Sequence, residues 1–133
     1  MRAMDYILLP QLAVGYDRKR AWERIRPVVK GSVLWKKRMI YAKNLTAYEK
    51  SILLSIAAFS TEPEIVLAGD GLGKMTEEER KKYGTWLSGC LTDSGTAFVA
   101  FGNLWENIVH FDRICEIQNG YLRNINKIRE EKR

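Results

Sequence analysis

The stretch that decides the fold runs from residue 97 to residue 129, AFVAFGNLWENIVHFDRICEIQNGYLRNINKIR. At helical spacing it places Phe101, Leu104, Ile108, Phe111, Cys115, Gln118, Leu122 and Ile125 on one line, and Ile114, Ile117, Tyr121 and Ile128 widen that line into a stripe. Steps of three and four sustained in this way mark an amphipathic helix. Unbroken to Arg129, the helix would be about 50 Å long. Asn119-Gly120 is the expected interruption, as a kink or as a stop before a short last helix, and the terminal EEKR is expected to fray.

Two capping boxes lie upstream, Thr46 with Glu49 and Thr76 with Glu79, and each marks a helix start. After the first, Leu45, Tyr48, Ile52, Ile56 and Phe59 form a stripe, and no charge occurs from Ser51 to Thr61, so this helix is expected to be the most buried. After the second, Tyr83, Trp86, Leu87, Cys90 and Leu91 recur at i, i+3, i+4, i+7 and i+8. Between the two helices, Pro63 suits the first turn of a short helix through Ala68, followed by a loop from Gly69 to Gly73. Residues 1–16 contain apolar side chains interrupted by Pro10 and Gly15 and predict an extended or irregular arm, covered by its own domain or by a neighbouring subunit. Asp17 caps a helix through Arg26 that Pro27 kinks or ends, and Ser32 caps a second from Val33 to Lys43. The predicted fold class is all-α. A kinked basic N-terminal helical arm occupies residues 1–45, and a bundle with a long C-terminal helix occupies residues 46–133, together one structural unit.

Charge divides the chain unevenly. Arg18, Lys19, Arg20, Arg24, Arg26, Lys30, Lys36, Lys37, Arg38 and Lys43 face one acid, Glu23, so this segment carries +9 in a chain of net charge +6. Solvated faces usually mix signs, and a run this poor in acids points to a polyanionic partner. Trp22, Trp35 and Tyr41 lie among the cations and are candidates for base stacking, cation–π contact or core packing. These thirteen residues form the predicted nucleic-acid-binding set.

No catalytic site is predicted. The loop AGDGLGKMT has Ala68 and Met75 where a phosphate loop ending in Gly73-Lys74 needs glycine and Ser or Thr, and Lys74 where a dinucleotide fingerprint needs glycine. A surface connection is the plainer reading, with backbone amides near Gly71 and Gly73 as a possible anion contact. His110 has only Glu106 within helical reach, and Asp70, Asp93 and Asp112 lack the spacing of a two-metal nuclease. Cys90 and Cys115 form no metal motif with one histidine, so no metal and no cofactor are expected; the thiols are free, or paired if they face each other. The chain opens without a signal sequence and has no apolar run long enough for a bilayer. The expectation is a soluble intracellular protein or one inside a nucleoprotein particle.

As a plan of arm plus bundle, Arg18–Lys43 followed by Thr46–Arg129, the chain resembles the DNA-wrapping major coat proteins of archaeal filamentous and rod-shaped viruses. That resemblance implies coat subunits that associate and enclose duplex DNA in a virion. The expected function is therefore a structural nucleic-acid-binding protein that coats DNA as a homo- or hetero-oligomer. The alternative is a small helical interaction module that binds an acidic surface, as an inhibitor or as a subunit of a nucleoprotein complex.

Overall fold

The computed structural model of the chain describes residues 1–69 and 71–124. Its α-helices are α1 (Ala3–Ala13), α2 (Arg18–Lys30), α3 (Ala47–Phe59) and α4 (Glu77–Thr92), with short 3-10 turns at Ala42–Asn44, Leu72–Lys74 and Trp105–Asn107, and its strands are β1 (Ile65–Ala68), β2 (Ala97–Ala100), β3 (Cys115–Gln118) and β4 (Tyr121–Asn124). The protein is mixed α/β, which corrects the all-α expectation.

The correction centres on residues 97–129. β2 pairs in parallel with β1, Ile65 opposite Ala97 through Ala68 opposite Ala100, while β3 and β4 form an antiparallel hairpin. Asn119 at φ 51° and Gly120 at φ 80° make the hairpin turn, the left-handed pair that Asn-Gly favours between two strands. Ala97 to Phe101 therefore alternates with period two, and the helical spacing of Phe101, Leu104 and Ile108 is coincidental. The short helix expected from Pro63 is β1, whose Ile-Val-Leu run suits a strand. Ile125, Ile128 and the EEKR terminus lie outside the described residues.

The N-terminal third differs as well. Residues 3–13 form α1 rather than an irregular arm, with Pro10 inside the helix, and Ala3, Ile7, Leu8 and Gln11 are buried. The chain covers its own apolar N-terminus: α1 packs on α2 and α3. Asp17 caps α2 by accepting from the Arg20 amide at 2.9 Å, and α2 continues through Pro27 to Lys30. The second basic helix is absent. Residues 31–40 run in successive turns whose carbonyls serve α1 instead: the Ala3 amide donates to Ile40 O at 2.8 Å and the Met4 amide to Arg38 O at 2.9 Å. These are two of the amides that a helix start leaves unpaired, so residues 1–45 are fastened into the domain and do not form a free arm.

Both capping boxes form, at Thr46/Glu49 and Thr76/Glu79. α3 supplies Ile52, Leu53, Ile56 and Ala57 to the core, and α4 supplies Tyr83 and Leu87. Fully burying an aliphatic side chain of this size contributes about 1.5–3 kcal/mol each before conformational costs. Gly84 lets α4 approach the segment after β2 closely, since a Cβ there would stand 2.4 Å from Ile108 O. One face of the small parallel sheet is held by aromatics: Phe98 meets Trp105 edge-on at 5.4 Å and stacks near Phe59 at 6.4 Å.

Candidate polyanion-binding surface

α2 is amphipathic. Ala21, Ile25 and Val29 face the core, which turns Arg18, Lys19, Arg20, Arg24, Arg26 and Lys30 outward, and all six are exposed. Lys36 and Lys43 are exposed too, whereas Lys37 and Arg38 are half-buried. The ten predicted cations thus lie on one continuous segment of chain but do different work.

Several hold the fold together. Arg18 pairs with Asp5 on α1. Arg24 Nε donates to Gln11 Oε1 at 2.9 Å, and the fully buried Gln11 gives its own amide N–H to Ala21 O at 3.2 Å, so α1 and α2 are joined by a satisfied polar bridge. The Arg24 guanidinium lies 4.4 Å from the Tyr16 ring centroid, with Arg20 at 5.7 Å. Tyr16 and Gln11 were not among the predicted site residues. Spacing alone could not have found them, because both act across the α1–α2 turn.

Trp22 and Trp35 stack on each other, 6.3 Å between centroids and 9° between planes, and both pack against the core. Arg38 lies 4.1 Å and Arg26 5.8 Å from the Trp35 centroid. These contacts make the two tryptophans part of the scaffold that joins α2 to residues 31–40. Tyr41 is exposed, with the Arg2 guanidinium 5.1 Å from its ring and its backbone bridged to Arg2.

Lys37 pairs with the buried carboxylate of Glu49. Burial pushes that carboxyl up, but the hydrogen bond and charge of Lys37, together with the Thr46 amide and hydroxyl, more than offset it and hold Glu49 below the ordinary carboxylate value. Among the described residues the ion pairs engage only Arg18 and Lys37 of the ten cations. Lys19, Lys30, Lys36 and Lys43 stay exposed without an ion pair there, and they are the cations best placed to meet an external anion.

The other candidates separate. Cys90 is half-buried and Cys115 exposed, both free thiols, and burial with the nearby Asp93 charge raises the Cys90 thiol above its ordinary value. No group of three His, Cys, Asp or Glu able to hold a metal ion occurs among the described residues. His110 is exposed. Asp70 lies outside the described residues. Around it, Gly69, Gly71 and Gly73 are exposed, Leu72 and Met75 are buried, and the Trp105 indole donates to Gly69 O at 3.2 Å. This loop leaves the C-terminal end of β1, next to the end of β2 at Phe101-Gly102, the end of a parallel sheet at which open α/β folds bind ligands. No helix among the described residues is long and apolar enough to cross a membrane.

No protein-family model and no curated protein matches the chain. Among solved structures it is similar to one described as the ATP-binding subunit of an ABC transporter, with a TM-score of 0.70 and 13% identity over 99% of this chain. The match spans 56% of that chain, so the likeness is one of fold with part of a longer protein. The all-helical plan behind the coat-protein resemblance is not the fold seen here.

Proposed function

We propose that this chain is an interaction module that works as one part of an assembly of the ABC-transporter ATP-binding type, and that its exposed lysines contact an acidic surface of a neighbouring subunit. The observation that carries the reading is the fold likeness, at a TM-score of 0.70 over 99% of the chain, to a structure described as the ATP-binding subunit of an ABC transporter. The loop after β1 has neither phosphate-loop signature, so the reading gives this chain a binding rather than a catalytic role. Lys19, Lys30, Lys36 and Lys43 supply the charge for the contact.

Nucleic-acid coating is the second reading. The run of ten cations against Glu23 alone favours it, since phosphate neutralisation needs charge and no base-reading set. Carboxyl–amine crosslinking in the native host, followed by mass spectrometry, separates the two. Crosslinks from the four lysines to carboxylates of a transporter subunit support the first reading. Nucleic acid released by high salt, with no such crosslinks, replaces it with the second.

A further inference from the structure

A cleft of about 1000 Å³ opens between α2, α3 and the C-terminal end of α4, at the upper end of the volumes that take a small organic ligand. We propose that it binds a hydrophobic organic ammonium ion, with the apolar body against Ile25, Ile56, Phe59 and Trp86 and the ammonium at Glu62 and Asp93.

The chemistry of the lining selects this class. Its hydroxyl protons are already spent inside the protein: Ser55 Oγ donates to Ser51 O at 2.8 Å, Ser60 to Ala57 O at 2.7 Å, Ser94 to Leu91 O at 3.3 Å and Thr96 to Pro63 O at 2.6 Å. Tyr83 OH, 2.6 Å from Ser55 Oγ, then donates to that oxygen. Arg24 reaches the rim and keeps its positive charge, with its Nε–H given to Gln11 Oε1 and its guanidinium over the Tyr16 ring. Glu62 and Asp93 are exposed lining residues and enter no ion pair among the described residues. One arginine and two carboxylates leave the charged lining at a net −1. An anion would be repelled by the two carboxylates, and a neutral ligand would gain nothing from their charge. An ammonium with an aromatic or aliphatic body pairs with the carboxylates and covers the apolar wall that includes Phe59 and Trp86.

Monodansylcadaverine, an aromatic body bearing a primary ammonium, tests this by titration against the full chain beside neutral dansylamide and anionic dansyl-5-aminopentanoate. The expected result is blue-shifted dansyl emission, with the cation bound at least about tenfold tighter than the neutral compound. Glu62→Gln combined with Asp93→Asn should remove that preference while circular dichroism stays unchanged. Gly89→Leu, placed where an added Cβ meets nothing within 4 Å, should fill the cleft and weaken all three compounds. Equal affinity for the three compounds, a preference that survives the carboxylate changes, or undiminished binding in Gly89→Leu would overturn the assignment. So would a lysine-bearing amphipathic peptide that outcompetes the amine.

Discussion

Trp35 is stacked on Trp22 from one element and approached by the Arg38 guanidinium at 4.1 Å from its own turn segment. This contact ties the turns of residues 31–40 to α2 without any regular secondary structure in the tied segment. Trp35→Ala should destabilise the protein by about 2–4 kcal/mol, the sum expected for a partly buried aromatic with its ring and cation partners. A double-mutant cycle with Trp22→Ala, read by urea denaturation, should return a coupling of about 0.5–1.5 kcal/mol. A coupling of zero would mean that the stack contributes nothing.

Glu49 makes stability depend on pH on the acid side. Its folded carboxyl is held below the ordinary value, so between the two values the unfolded chain binds the extra proton. The contribution is fully present above the unfolded pKa and is lost as pH falls through the folded one. Urea midpoints measured from neutral pH downward should therefore fall less steeply in Glu49→Gln than in the parent. An unchanged acid limb would show that the Lys37 and Thr46 contacts do not act on this group.

Gly84 is a packing position as well as a helical one. Alanine there would gain about 1 kcal/mol of helix propensity. Its Cβ, however, would stand 2.4 Å from Ile108 O and 2.6 Å from Ile108 Cβ. Backbone is the obstacle and cannot swing away, so Gly84→Ala should cost about 1–3 kcal/mol net, measured by thermal or urea unfolding. Gly89→Ala, with nothing within 4 Å, is the control and should be neutral or stabilising.

The exposed lysines should dominate electrostatic binding. Changing Lys19, Lys30, Lys36 and Lys43 to Gln together should leave circular dichroism unchanged, because none of the four joins an ion pair among the described residues. With duplex DNA as the polyanion probe, each phosphate contact contributes about −0.9 to the slope of log K against log salt, so the slope should flatten by about 3–4. Changing Lys37 and Arg38 instead should lower stability, because those side chains hold Glu49 and Trp35. An unchanged slope in the fourfold variant would remove these lysines from the binding surface.

Local chemistry was legible wherever a short-range rule decides the outcome. Asp17, Thr46 and Thr76 cap the helices that their sequence context predicts, and Ile52 and Ile56 on α3 and Tyr83 and Leu87 on α4 are buried as their spacing predicts, whereas Leu53 and Ala57, outside the α3 stripe, are buried as well. The same is true of the charge asymmetry, which needs no coordinates. Asn119-Gly120 shows the limit: the dipeptide marks a break, but whether it ends a helix or closes a hairpin depends on which segments pair. For residues 97–101, an apolar run satisfies the helical and the strand period alike, and the choice rests on β1, some thirty residues away, which supplies the pairing partner. The division of the ten cations was likewise hidden. Sequence determined that Arg18–Lys43 is basic; only the tertiary structure decided that Arg24, Lys37 and Arg38 clamp Gln11, Glu49 and Trp35. Gln11 and Glu49 are brought within reach by α1 and α3 packing on the segment, and Trp35 by the turns of residues 31–40, which replace the helix that the sequence predicts there.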